Sequence, residues 1–140
     1  MFRPSLAIAA LLLLSAPAAE RKSFTVQSSK IEWQAMHIPG FPDGLQQKLL
    51  HDNKDNQLMS ALVKYPKGFH EPRHYHTTCG HTIYVLKGRI RTPNGDLTPG
   101  SLTYDAVNER HGPLIAVEES EILFYTDGPF DMHIVEDSKR

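Results

Sequence analysis

The pattern of apolar and polar residues after position 19 is that of short β-strands. Segments rich in β-forming residues alternate with Gly, Pro, Asn and Asp clusters that recur about every ten residues, the spacing of a sandwich or barrel. No segment carries a sustained apolar stripe of helical period. We predict strands at residues 45–51, 57–65, 82–86, 102–104, 114–117, 122–126 and 130–135, with breaks at 39–44, 52–56, 66–68, 93–96, 99–100, 118–120 and 127–129. The pattern therefore predicts an all-β fold.

The strand predicted at residues 82–86 has two distinguishable faces. Side chains alternate along a strand, so Ile83 and Val85 share one face, while Thr82, Tyr84 and Leu86 share the other. The first pair is predicted to face the interior.

The first 18 residues are predicted to be a secretory signal peptide, ahead of one domain at residues 19–140. Arg3 supplies the positive charge, residues 6–14 are an unbroken apolar run, and Ala16 and Ala18 are small residues suited to cleavage after Ala18. The run is shorter than the roughly 20 apolar residues that span a bilayer. We therefore expect a secreted or periplasmic protein with no stable membrane association once the signal is removed.

The composition argues against a nucleic-acid partner and excludes an intrachain disulfide. The 15 basic and 16 acidic side chains nearly balance, which argues against nucleic-acid binding. Cys79 is the only cysteine, so no intrachain disulfide can form. We interpret it as a partly buried small side chain; a redox-active role, or one beside a metal site, is the alternative.

Four of the eight histidines form a pattern that is typical of a metal site. His74 and His76 flank Tyr75, and residues two apart on a strand point to the same side, about 6.6 Å apart. His81 begins the next strand on the face of Ile83, and His111 comes from a later strand. Imidazoles from separate strands can meet inside a closed sheet, where unpartnered ring nitrogens would be costly. The other histidines are interpreted as ordinary surface or hydrogen-bonded residues, with His70 near enough to support the site: His37, His51, His70 and His133.

The first group of histidines lies in a spacing that resembles the first metal motif of the cupin superfamily. The residues that carry the resemblance are Gly68-x5-His74-x-His76-x4-His81-x6-Gly88. In that superfamily the position of His81 is usually Glu, so the chain departs from the motif there.

A second stretch resembles the second cupin motif, and the two motifs together cover residues 68–115. Its residues are Gly100-x5-Ala106-x-Asn108-x2-His111, with the usual Pro and Gly replaced by Ala106 and Asn108 and the usual later Asn replaced by Ile115. Asn tolerates the left-handed backbone conformation better than other non-glycine residues, so Asn108 is an intelligible substitute for Gly.

The resemblance implies a single cupin (jelly-roll) β-barrel that holds one divalent transition metal on His74, His76, His81 and His111. Fe(II) is favoured, with Mn, Ni, Cu, Co or Zn as alternatives, because nitrogen-rich ligation disfavours Mg and Ca. A set of neutral imidazoles leaves the ion nearly its full charge, so an enolate or carboxylate should bind strongly. The histidines must be neutral to bind, so the metal should leave below about pH 6.

The same motifs are similar to those of all-histidine cupin dioxygenases that cleave small diketones. The resemblance implies an oxygen-dependent dioxygenase for a small enolisable or phenolic ketone. Two alternatives stay open: a metal-dependent ligand-binding or sensor cupin without turnover, and a metal-dependent isomerase or decarboxylase. No catalytic residue is identified; charged residues flanking the motifs are candidates for an acid, a base or an anion clamp, namely Glu71, Arg73, Asp105 and Glu109.

The resemblance also implies a homodimer formed through the outer face of a sheet. Apolar residues outside the motifs either line such a contact or belong to the core, and the sequence does not separate these alternatives for Phe24, Trp33 and Phe41.

Overall fold

The structure is a computed structural model, and it describes residues 22–53 and 57–136. The predicted signal peptide, residues 1–18, lies outside the described residues. The described part holds one 3-10 turn, η1 (Ser28–Lys30), and twelve strands. The strands are β1 (Gln34–Ala35), β2 (Gln46–Asp52), β3 (Met59–Tyr65), β4 (His70–Glu71), β5 (His74–Tyr75), β6 (His81–Lys87), β7 (Ile90–Thr92), β8 (Gly95–Leu97), β9 (Leu102–Asp105), β10 (Leu114–Ala116), β11 (Ser120–Thr126) and β12 (His133–Ile134).

The strands form antiparallel sheets that enclose one core, which confirms the predicted all-β cupin fold. A six-stranded sheet has the order β1-β2-β3-β11-β6-β9, and a four-stranded sheet has the order β4-β10-β7-β8. The short pair β12-β5 forms a separate sheet, and its His74 makes one further backbone bridge, to His111 shortly before β10. Long-range pairing of this kind brings residues from distant parts of the sequence to one interior.

The alternation predicted within residues 82–86 is confirmed in β6. His81, Ile83 and Val85 are buried, whereas Tyr84 and Leu86 on the other face are exposed. The inner residues pack with the neighbouring strand β11, whose Ile122 is fully buried.

Two predicted boundaries are wrong. The break predicted at 93–96 is only a two-residue turn, because Gly95 and Asp96 pair with Thr92 and Arg91 as the second arm of a hairpin. The strand predicted at 130–135 is reduced to His133–Ile134, because the side chain of Asp131 bonds to a turn elsewhere in the chain instead of lying along a ladder. The strand predicted at 45–51 is confirmed as β2.

The three apolar residues that the sequence could not assign to the core or to a dimer contact have different environments. Phe41 packs against the core, Trp33 is half-buried beneath the ammonium groups of Lys48 and Lys64, and Phe24 is exposed and stacked on His51. The homodimer itself stays a prediction.

Candidate metal centre

Backbone pairing places the candidate ligands next to one another. His74 and His111 exchange both of their backbone hydrogen bonds, each with an N···O distance of 3.0 Å. The Asn108 amide donates to the carbonyl of His76 at 2.7 Å, and Asn108 has the left-handed backbone expected of it, with φ of 65°. The turn before His111 is therefore tied to the strand that carries the other two histidines.

Hydrogen bonds to backbone carbonyls settle the orientation of three imidazole rings. The Nδ1 of His74 contacts the carbonyl of Pro72 at 2.8 Å, the Nδ1 of His111 contacts that of Glu109 at 3.0 Å, and the Nδ1 of His76 contacts that of Asp131. A carbonyl only accepts hydrogen bonds, so each Nδ1 must carry the proton. In the neutral ring the Nε2 then presents a lone pair, the arrangement found in metal-binding histidines.

These Nε2 atoms converge on one point. The Nε2 atoms of His74 and His111 lie 2.9 Å apart, and the Nε2 of His76 is buried with no hydrogen-bond partner among the described residues. Lone pairs facing each other at this distance repel unless a cation lies between them. With metal–nitrogen bonds of about 2.0–2.1 Å, ligands at right angles place their donors about 2.9 Å apart, and tetrahedral ligands about 3.4 Å. The separation of the His74 and His111 donors therefore fits two ligands at right angles on one transition metal.

His81 lies beside this set and belongs to an adjoining one. Its ring centroid is 4.9 Å from those of both His76 and His111. Its Nε2 faces the Oδ2 of Asp105 at 3.4 Å, and its Nδ1 is buried and has no hydrogen-bond partner in the described part of the chain. Donor atoms within 4.8 Å of one another form the set His74, His76 and His111 and the set His81, Asp105 and His111.

Burial keeps the His74, His76 and His81 imidazoles neutral near pH 7. Loss of solvation, together with the neighbouring histidines, lowers the pKa of His74 to about 4, although its hydrogen bond to Pro72 opposes this, and lowers that of His81 to about 3. Loss of solvation also lowers the pKa of His76. Neutral rings are those that can bind a metal, so the site is ready for a cation at neutral pH.

Comparison with known proteins agrees with this fold. The family model of the ChrR cupin-like domain matches residues 21–131. The chain belongs to this family. None of the curated proteins matches the chain significantly.

Solved cupin structures resemble this cupin over most of its length. A provisionally named acetylacetone dioxygenase from Methylibium petroleiphilum is 20% identical, with 85% of each chain covered and a TM-score of 0.70. An acetylacetone dioxygenase from Acinetobacter johnsonii is 16% identical, with 88% of this chain and 83% of that chain covered and a TM-score of 0.63. The anti-sigma protein ChrR of Rhodobacter sphaeroides, solved with SigE, is 17% identical, with 72% and 52% covered and a TM-score of 0.56. At these identities the likeness establishes the fold alone.

Of the flanking charged residues, Glu71 is the one buried directly behind a histidine of the cupin. Its Oε1 lies 3.7 Å from the Nδ1 of His74, and its Oε2 accepts a hydrogen bond from the Tyr65 hydroxyl at 3.0 Å. Burial raises the pKa of Glu71 to about 7, although the Tyr65 hydrogen bond opposes this and Asp105 adds to it. Arg73 and Glu109 are exposed, and Glu109 reaches His111 through its backbone carbonyl.

Asp131 was not predicted from the sequence, yet it holds the loop that carries His76. Its carboxylate accepts hydrogen bonds from the backbone amides and hydroxyls of both Thr77 and Thr78, and contacts the Nε2 of His133 at 2.8 Å. Loss of solvation would raise the pKa of Asp131, but the hydrogen bonds outweigh it and hold that pKa well below its usual range. No local signal marks Asp131, because its partners lie 53 and 54 residues away in the sequence.

Two cavities reach the centre from different sides. One has a volume of about 260 Å³, with His74, His76 and His81 at its polar end and apolar walls that include Met36, Phe124 and Phe130. The other, of about 720 Å³, has both polar and apolar walls, and His111 and Asp105 line it with Arg110. The candidate centre is therefore accessible to a small apolar molecule on one side and to polar groups on the other.

Cys79 and the remaining histidines take the predicted environments. Cys79 is buried, and its Sγ lies within 4.8 Å of donor atoms of His76 and Asp131. His70 is exposed, and the others have partners outside the centre: His37 contacts Asp43, His51 stacks on Phe24, and His133 stacks on Tyr75.

Proposed function

We propose that this cupin is a metal-dependent dioxygenase that acts on a small enolisable or phenolic ketone. The observation that carries the proposal is the convergence of the His74, His76 and His111 Nε2 atoms, oriented by backbone carbonyls, beside a small apolar cavity. The dioxygenase likeness of the two solved structures named above supports the same assignment.

The ligands proposed for the metal are His74, His76 and His111, with His81 adjoining them. The ion proposed is Fe(II), with Mn, Ni, Cu, Co or Zn as alternatives that nitrogen donors also accept. When bound, such an ion supplies Lewis acidity and, for redox-active metals, access to oxygen chemistry. The protein's contribution is to hold neutral rings at set angles, since the carbonyls behind Nδ1 prevent them from turning.

The walls of the smaller cavity suit an apolar ketone. Aromatic rings pack directly against the ligands: the Phe130 ring centroid is 5.2 Å from that of His76, and the Phe41 centroid is 5.5 Å from that of His74. These rings give the cavity apolar walls beside the ligands, so a charged or polarised ketone oxygen is attracted to the cationic end while the rest of the molecule contacts apolar side chains. Glu71, with its pKa raised to about 7, can hold a proton behind His74 near neutral pH.

Export is part of the proposal. The predicted signal peptide at residues 1–18 would deliver the cupin to the periplasm or the medium. Within the described residues, no helix is long and apolar enough to cross a membrane.

A sensor or binding module is the second candidate, because the family is named after ChrR and one similar structure is that anti-sigma protein. A cupin of this kind would take up a small ligand at the metal without consuming oxygen.

Oxygen uptake separates these candidates. Metal-free protein would be loaded anaerobically with Fe(II), mixed with a panel of 1,3-diketones and phenolic ketones, and exposed to oxygen in an electrode cell. We expect one oxygen consumed per ketone cleaved, loss of this activity in His74→Ala, and its retention in His51→Ala, since His51 stacks on Phe24 and lines neither cavity. Ketone binding without oxygen uptake would favour the sensor, and product without oxygen uptake would favour an isomerase or decarboxylase.

A further inference from the structure

The imidazoles proposed as ligands carry no negative charge to balance a dication. A buried ion without a nearby anion is unfavourable, so the position of the carboxylates around the centre matters. Glu71 lies on the Nδ1 side of His74, away from the converging Nε2 atoms, and already bonds to Tyr65. It is therefore placed to support a ligand rather than to bind the ion.

Asp105 is the carboxylate that faces the donors. It ends β9, directly opposite His81 in the antiparallel register with β6. Exposure alternates along β9, with Leu102 and Tyr104 exposed and Thr103 and Asp105 half-buried on the inner face. The Asp105 side chain is only 20% exposed, and its Oδ2 lies 3.4 Å from the Nε2 of His81.

Asp105 also shares a ligand with the three-histidine set. A carboxylate oxygen of Asp105 and nitrogens of His81 and His111 all lie within 4.8 Å of one another. The 3.4 Å between the His81 Nε2 and the Asp105 Oδ2 lies between the separations of about 2.9 Å and about 4.2 Å expected for ligands at right angles and on opposite sides of one ion. Because His111 belongs to both sets, an ion held by His74, His76 and His111 lies next to Asp105.

We propose that Asp105 is a carboxylate ligand of this metal centre, bound on the side of the larger cavity. The inference rests on the metal centre of the proposed function, but not on its reaction. A carboxylate reduces the net charge of the site by one unit and adds an oxygen donor to the imidazoles. Cupins usually have a negatively charged Glu at the position of His81. Asp105, on the opposing strand, supplies that negative charge instead.

The test is metal affinity and the spectrum of the Co(II)-loaded protein. Affinity would be measured by chelator competition, and the visible d–d absorption would be recorded for the unsubstituted protein and for Asp105→Asn. We expect the substitution to weaken Co(II) binding at least tenfold and to change the absorption bands, because an anionic donor leaves the ion. Asp96→Asn is the matched control, since it neutralises an exposed carboxylate lining the same cavity and should change neither quantity.

Asp105→Thr provides a second variant, because Thr suits a strand and has no carboxylate. Circular dichroism and urea unfolding of the metal-free proteins would show that the variants are folded. A Co(II) affinity of the Asp105 variants within twofold of that of the unsubstituted protein would overturn the inference. Weaker binding with an unchanged Co(II) spectrum would also overturn it, because Asp105 would then act only by electrostatic attraction or as a partner of His81. Failure of the unsubstituted protein to bind Co(II) would overturn both this inference and the proposed function. If Co(II) binding depends on Asp105 but the Fe(II)-loaded protein takes up no oxygen with the ketones, only the proposed function would be overturned.

Discussion

At the scale of single residues, the sequence indicates which histidines belong to the centre, but it does not indicate how their rings are oriented. His74 and His111 each donate Nδ1–H to the carbonyl two residues earlier, so their local chain sets the tautomer. His76 instead uses the carbonyl of Asp131, 55 residues away. The carboxylates that face the rings, Glu71 and Asp105, were visible as motif neighbours, but no sequence pattern distinguished them from exposed Glu109.

Glu71→Gln should weaken metal binding and stabilise the metal-free protein at neutral pH. The substitution removes the negative charge 3.7 Å from the Nδ1 of His74, and loss of such an outer partner weakens metal affinity about 10- to 100-fold. The raised pKa of Glu71 means that the folded protein holds a proton that the unfolded chain releases, so stability falls as pH rises from 4.5 to about 7. The neutral amide removes that fall.

Chelator competition and urea unfolding in EDTA at pH 5 and pH 8 would check both effects. Glu119→Gln, which changes an exposed carboxylate paired with Lys87, is the control for a simple change in net charge. Equal metal affinity in Glu71→Gln and the unsubstituted protein would contradict the role given to Glu71.

At the scale of elements, periodicity identified the long strands, and tertiary contacts determined the short ones. β6 was predicted because its two faces differ in polarity along the sequence. The hairpin of β7 and β8 was missed because Gly95 and Asp96 read as a turn, although their partners Thr92 and Arg91 complete a ladder. The segment before β12 serves as a clamp on the loop after His76, since both Thr77 and Thr78 donate to Asp131.

Asp131→Asn should weaken the hydrogen bonds that hold the loop at Thr77 and Thr78. An amide keeps one acceptor but loses the charge and turns an NH2 group toward hydroxyl and amide donors. We expect a loss of about 2 kcal/mol in the free energy of unfolding, typical of hydrogen bonds to a charged group, and metal binding weakened at least tenfold because His76 loses its support. Urea unfolding and chelator competition would be run beside Asp43→Asn, an exposed carboxylate paired with His37. Unchanged metal affinity would refute the clamp.

At the scale of the whole molecule, antiparallel pairing makes an interior in which several histidines lose water together. The all-β fold was predictable from the local strand pattern, and the cupin superfamily was predictable from the spacing of the two motifs. The family match confirms the superfamily. The two cavities were not predictable, because their walls come from strands far apart in sequence.

This shared burial predicts that the metal-free protein loses stability in acid. The lowered pKa of His74, about 4 in the folded protein against 6.5, means that the unfolded chain binds the proton first as pH falls. The contribution is fully present above pH 6.5 and declines as pH falls toward 4, by about 3 kcal/mol for His74 alone. The lowered pKa of His81 acts in the same direction, whereas the raised pKa of Glu71 opposes it between pH 4.5 and 7.

Glu71→Gln is therefore the cleaner background for this measurement, because the opposing group is absent. In EDTA, its urea midpoint should fall steadily from pH 7 to pH 4, and His74→Ala in the same background should fall less. A midpoint independent of pH would contradict neutral burial of the histidines.

The most direct test of the central claim is metal stoichiometry. Metal-free protein would be loaded with excess Co(II) or Zn(II) at pH 7.5, freed of unbound ion, and measured by elemental analysis together with His74→Ala, His76→Ala, His111→Ala and the control His37→Ala. We predict one ion per chain in the unsubstituted protein and the control, and loss of most of the metal in each of the three other variants. One ion per chain retained in all of them would contradict the claim that these three imidazoles hold a common cation.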